Sequence, residues 1–239
     1  MATVAVRQTP VEAERRFFLV MAVAVGATVF AGFGLDFRRF DWDFSGLPLH
    51  VHLHGAVFSA WILLYMLQNW LVDRGSIALH RRLGVLAAGL AAVMVVVGVA
   101  TTILAIELHR VPSFFPPGVF LMLDLLGIGG FGALTAAAIA MRHQPDWHKR
   151  LMLCGTLLVM SPALGRLLPM PALGAYGPAA VFIAMVLYVI AAIAFDLRLR
   201  GTVHPAYWWG GGVLVVTQVL VGPLGFSTPV QAWVDSLAA

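Results

Sequence analysis

The chain has 239 residues, of which 61% are hydrophobic and only 11% charged. Soluble domains average roughly a quarter charged residues, so a water-facing globule, a disordered tail and a nucleic-acid binder are all excluded. The formal charge of +4 comes from basic residues set in short segments between apolar runs, a pattern that orients a membrane protein and offers no face to nucleic acid.

A membrane-crossing helix needs about 20 apolar residues. In chain order the runs 17–35, 49–72, 83–106, 116–141, 151–168, 176–195 and 207–230 meet that need. They predict an all-α, polytopic membrane protein of about seven transmembrane helices forming a single domain. Arg15-Arg16-Phe17-Phe18-Leu19 has the look of a twin-arginine export signal, but the apolar run after it is long enough to span and no small-x-small cleavage site closes it. It reads as the first span. The fifth span is interrupted by Pro162 and Arg166, the seventh by Gly210, Gly211, Gly212 and Pro223. Both are expected to kink or lie partly at the interface. Cys154, the single cysteine, falls inside the fifth span, which excludes an intrachain disulfide and a cysteine-based metal site.

The basic residues fix an orientation. Arg7, Arg15, Arg16, Arg74, Arg81, Arg82, Arg142, Lys149, Arg150, Arg198 and Arg200 fall on one side of the seven-span topology; Arg38, Arg39, Arg110 and Arg166 fall on the other. The richer side is cytoplasmic. The expectation is a multi-pass protein of the bacterial inner membrane, N-terminus inside and C-terminus outside.

Two cytoplasmic segments match: Leu79-His80-Arg81-Arg82-Leu83-Gly84 and Trp147-His148-Lys149-Arg150-Leu151-Met152. Each ends a polar loop and opens a span. Spans two–three and four–five therefore read as two copies of one helical hairpin, 48–108 and 116–170, forming a four-helix core with an axis along the membrane normal. The spans 17–35, 176–195 and 207–230 are placed around it. His54 and His80 are separated by a whole span, about 39 Å at 1.5 Å per residue, so the polar residues form two layers.

The outer layer holds His50, His52 and His54. On a helix His50 and His54 share a face and His52 points away. Asp124 is the one carboxylate well inside a predicted span, and such a residue pairs with a cation, a metal or a proton path. The set His50, His54 and Asp124, completed by His52, Glu107 or His109, predicts a centre for Fe, Cu or Zn. The competing expectation is an ion pair between Asp124 and Arg166. The inner layer holds His80, His148, Arg81, Arg82, Lys149 and Arg150. His80 and His148 open their helices, where free N–H groups attract anions. An anionic ligand between the repeats, a bis-histidine haem, or simple anchoring to anionic lipid are the readings there.

The segments HLHG (52–55), LHRRLG (79–84) and HKRLM (148–152) resemble a group of bacterial multi-pass membrane proteins. More distantly they are similar to four-helix haem-binding membrane proteins of the cytochrome b561 type. That resemblance covers roughly residues 48 to 170. It implies haem b held by histidines on facing helices, with His54 and His80 as candidates on one repeat and His148 on the other. The symmetry mate of His54 is Asp124 rather than a histidine, which turns the outer side toward a non-haem metal.

Three functions remain from the sequence. One is a membrane-bound oxidoreductase with a metal ion or haem b as cofactor. Another is a proton-coupled transporter or channel using Asp124. The third is a non-catalytic scaffold subunit of a membrane complex. The expected partners are the lipid bilayer and either a membrane-complex subunit or a second copy of the chain.

Overall fold

The structure, a computed structural model, describes residues 9–37, 45–112 and 115–239. Arg7, Arg38 and Arg39 lie outside the described residues. The elements are α1 (Pro10–Phe37), α2 (Leu49–Asp73), α3 (Ile77–Glu107), α4 (Pro117–Ala140), α5 (Pro145–Leu158), α6 (Ser161–Leu167), α7 (Met170–Leu173), a 3-10 turn (Gly174–Tyr176), α8 (Gly177–Arg200), α9 (Ala206–Gly225) and α10 (Thr228–Ala238). No strand occurs among the described residues. Six helices are long and apolar enough to cross a membrane, and α5 with α6 forms a seventh such unit bent by 52°. The expected all-α, multi-span fold is what the chain adopts.

Proline sets several helix starts. Pro117, Pro145 and Pro162 lie in the first turns of α4, α5 and α6, where a missing N–H is no loss. This explains the break in the fifth span. Pro162 belongs to the opening turn of a new helix, α6, so the chain bends at Val159–Met160 just ahead of it. Arg166, in the last turn of α6, is carried off the axis of α5.

The seventh apolar run differs from its expected extent. It is two helices, because α9 stops at Gly225 and α10 begins at Thr228. The stop coincides with a close approach: a Cβ on Gly225 would sit 2.7 Å from Val119 Cα of α4. α10 then lies against α3 and α4, with Val234 among Ile106, Leu121 and Met122.

The packing order places the hairpins side by side: α2 on α3, α3 on α4, α4 on α5. α9 packs against both α4 and α5, and α1 packs against α2 and α6. The main core runs through Trp61, Met94, Phe131, Leu153, Leu157, Met185 and Leu214. α3 buries only 17% of its most apolar stretch, and Val85 and Val96 are 74% and 68% exposed. Such apolar, outward-facing surface suits acyl chains, not water.

The alternation of helix directions gathers two sets of helix ends. The starts of α1, α3, α5 and α9 meet the ends of α2, α4 and α8 at what we term the basic end. The opposite end carries His54, Asp124 and Arg166.

Candidate functional site

The basic end is held by a cluster of six charges. Arg150 on α5 has no exposed side-chain surface. Its Nε and Nη2 donate to the two carboxylate oxygens of Asp196 on α8 at 2.9 and 2.6 Å. Nη2 also donates to Glu14 of α1 at 2.9 Å, and Nη1 to the Asp146 carbonyl at 2.9 Å. Lys149 bridges Glu14 and Asp146, each at 2.7 Å. Arg200 reaches the same two carboxylates at 2.8 and 2.9 Å. Three cations meet three carboxylates, so the group is neutral and its donors are satisfied, which is the condition under which buried charge is tolerated. The Arg150 guanidinium lies over the rings of Phe18 and Tyr207, 5.8 and 5.6 Å from their centroids.

Of the inner-layer residues read as facing an anionic ligand, a haem or anionic lipid, Lys149 and Arg150 meet carboxylates of α1, α5 and α8. The sequence alone does not single out Glu14 and Asp196. Their signal was available: they are carboxylates at the ends of spans that otherwise collect cations.

Next to this cluster the two repeat histidines face each other. His80 of α3 and His148 of α5 lie edge to face with ring centroids 6.3 Å apart. Each ring is anchored at Nδ1. The Gln68 amide, oriented so that both its ends are satisfied, donates from Nε2 to His80 Nδ1 at 2.6 Å and to the His80 carbonyl at 3.2 Å. Its Oε1 accepts from the Gly84 N–H at 3.1 Å. His148 Nδ1 lies 2.8 Å from the Ala138 carbonyl, so it must donate. These bonds assign the tautomers: His80 carries its proton on Nε2, and His148 keeps an Nε2 lone pair. Arg81 and Arg82 are exposed beside the pair.

His204, in the segment between α8 and α9, caps the start of α9, its Nδ1 accepting from the Ala206 N–H at 3.2 Å. Partial burial, and then the Arg150 guanidinium, hold its imidazole below the ordinary value, while Asp146 and Asp196 act in the other direction.

At the opposite end Asp124 is reached by Thr102, whose hydroxyl lies 3.3 Å from Oδ2 and 2.9 Å from the Gly98 carbonyl. Arg166 acts electrostatically on both Asp124 and His54, but from beyond ion-pair distance of Asp124. Its guanidinium sits 4.5 Å from the Phe33 ring centroid and donates to the Pro162 carbonyl at 3.0 Å. The direct Asp124–Arg166 pair expected from sequence is therefore replaced by a Thr102–Asp124 hydrogen bond. His54 stacks on Phe58 at 4.0 Å. His50 is half-buried and His52 exposed, as their spacing on one helix requires. Glu107 and His109 are exposed at the end of α3, His109 in the left-handed region with φ 52°. Among the described residues no three of His, Cys, Asp and Glu come together in a metal-ligating group.

Six buried polar atoms among the described residues have no hydrogen-bond partner: His54 Nδ1, Trp61 Nε1, Tyr65 Oη, Thr135 Oγ1, Thr156 Oγ1 and Tyr207 Oη. Each such group, left unpaired, costs about 1–3 kcal/mol. Compared with protein-family models, curated proteins and solved structures, the chain matches none of them.

Proposed function

We propose that this is a multi-pass protein of the bacterial inner membrane that binds haem b between His80 and His148 and serves one-electron transfer. The basic end is taken as cytoplasmic, with the C-terminus outside. The observation that carries the reading is the His80–His148 pair. Two imidazoles from different repeats face each other, and each is anchored at Nδ1 by a protein hydrogen bond.

Donation from one ring nitrogen to a protein acceptor is how proteins orient imidazoles for ligation through the other, and His148, donating to the Ala138 carbonyl, is held in that way. Two protein ligands also discriminate among metals. A zinc site takes about four ligands, three or more of them from protein, whereas a haem iron has its equatorial positions filled by the porphyrin and needs only axial ligands. The exposed Arg81 and Arg82 suit the porphyrin carboxylates. Haem bound there supplies reversible one-electron chemistry.

The chain's own residues do the rest. The Ala138 carbonyl fixes His148 with its Nε2 lone pair available. His80 reaches the same state only when its proton moves from Nε2 to Nδ1 and the Gln68 amide turns its oxygen toward it, which gives up the Gln68 bonds to the His80 carbonyl and the Gly84 N–H. The neutral carboxylate–cation cluster, whose α5 members Asp146, Lys149 and Arg150 flank His148, fixes the backbone that carries it.

Detergent-purified protein expressed with ample haem tests this. It should carry close to one iron per chain and show a Soret band. Folded protein that is colourless and iron-free under those conditions overturns the proposal.

A second reading has its own observation, the buried Asp124 beside Thr102 at the end where the fifth span is broken. Broken spans and intramembrane carboxylates mark ion pathways. It requires proton flux in proteoliposomes that is lost in Asp124→Asn; flux surviving that change rejects it.

A further inference from the structure

We propose that the corner where α3, α4 and α10 meet, at the end of the bundle opposite the charge cluster, binds one phosphatidylethanolamine. The cavity there takes part of an acyl chain, and Glu107, His109 and Arg110 meet the zwitterionic headgroup. The proposal stands independently of the haem reading.

α10 is laid across that corner by its own sequence. Val230, Val234 and Leu237 recur at helical spacing and pack with Ile106 of α3 and with Leu121 and Met122 of α4. Gln231 ties the helix to the end of α9, donating from Nε2 to the Gly225 carbonyl at 2.6 Å. Trp233 stays 40% exposed on the outer side, as an indole does at a membrane–water boundary. The packing is incomplete toward the far end of α10. There Ile106, His109, Val111, Pro117, Val234 and Ala238 line a cavity of about 210 Å³. Pockets for a whole drug-sized ligand run from roughly 300 to 1,000 Å³, so this one takes part of a longer molecule. All of its lining residues except His109 are apolar. At a membrane boundary the long apolar molecule at hand is a lipid chain.

The polar rim names the headgroup. α3 closes in a Schellman turn, with the His109 N–H donating to the Ile106 carbonyl at 3.0 Å and the Arg110 N–H to the Ala105 carbonyl at 2.7 Å. That turn holds His109 in the left-handed region, φ 52°, where glycine is the usual occupant and an L side chain is strained. The strained backbone sets an imidazole at the cavity, and strain of this kind gathers at ligand clamps. Glu107 and Arg110 flank it, both exposed, and among the described residues neither is in an ion pair. One anion and one cation beside a hydrogen-bonding ring match a headgroup that carries both charges: its phosphate on Arg110 and His109, its ammonium on Glu107. Phosphatidylglycerol has no cation for Glu107.

The test is lipid retention by the full-length protein in detergent. Delipidated protein is given phosphatidylethanolamine, phosphatidylglycerol or chain-free glycerophosphoethanolamine and weighed intact by native mass spectrometry. One phosphatidylethanolamine per chain should be retained, severalfold above phosphatidylglycerol, with no retention of the chain-free compound. His109→Gly relieves the left-handed strain, so it should keep or raise Tm while lowering retention severalfold. Arg110→Gln, at an exposed position, and Val111→Phe, which fills the cavity, should lower retention likewise. No lipid retained by wild type, phosphatidylglycerol held equally well, the chain-free compound held equally well, or retention unchanged in His109→Gly or Val111→Phe overturns the proposal.

Discussion

Arg150 shows how a single side chain can be satisfied in an apolar bundle. It makes hydrogen bonds to Asp196, Glu14 and the Asp146 carbonyl while its guanidinium lies over Phe18 and Tyr207. Removing one member of a buried ion pair strands the others, at about 3–5 kcal/mol. Arg150→Met should therefore lose stability on that scale in a denaturation series in detergent, while Arg81→Met, at an exposed position, changes it little. The pairing was hard to read in advance. Arg150 was visible as one of many cations at one side, but its carboxylate partners lie 136 and 46 residues away, and no local pattern links such separations. His80 and His148 were legible, because a repeated motif places them equivalently in two hairpins. What the motif did not disclose was the anchoring of each ring, since Gln68 reads as an ordinary polar residue at the end of a span and Ala138 contributes only its carbonyl. The outer histidines followed the reverse course: residue type and spacing suggested a converging set, while the helix of α2 separates His52 from His50 and His54 and leaves Glu107 and His109 on the surface.

At the scale of elements, the spans followed from apolar length, and proline explained where the fifth is cut. The seventh run divides where Ser227 is extended and Pro229 opens α10, while the close approach of Gly225 to Val119 of α4 was not legible, because it involves a residue on another helix. A second close approach lies along α9. A Cβ at Gly210 would meet Cys154 Sγ at 2.6 Å and Cβ at 2.7 Å, whereas one at Gly211 would meet only Val189 Cγ1 at 3.7 Å. Overpacking of this kind costs about 1–3 kcal/mol. Gly210→Ala should lower thermal stability accordingly, and Gly211→Ala should be neutral or mildly stabilising through helix propensity. The start of α9 carries a pH dependence. His204 has its affinity for protons lowered in the fold relative to the ordinary 6.5, and its Nδ1 is occupied by the Ala206 N–H. Above pH 6.5 the group is neutral in both states and contributes no pH slope. As pH falls below 6.5 the unfolded chain binds the proton first, so folding weakens progressively until the lowered folded value is passed. His204→Asn retains an acceptor for the cap and should remove this part of the loss of Tm on acidification; an unchanged slope would assign it elsewhere.

The whole molecule is a helical bundle with its charged clusters at its two ends. Its lipid-facing helices, α3 above all, supply apolar surface, while α4, α5 and α9 supply the packed interior. The two-layer division was readable from the spacing of His54 and His80 along one hairpin. Which layer converges was not, because convergence depends on how the hairpins pack against each other. They bring His80 and His148 to 6.3 Å, and they leave Asp124 with Thr102 and at a distance from Arg166. The bis-imidazole haem that we propose is tested most directly by optical and low-temperature electron paramagnetic resonance spectra of purified wild-type, His80→Ala, His148→Ala and His54→Ala proteins. We predict a low-spin, six-coordinate haem in the wild type, retained in His54→Ala and lost or converted to high spin in both His80→Ala and His148→Ala. A low-spin signal that survives both of the latter changes, or no haem signal in any of the four proteins, would contradict it.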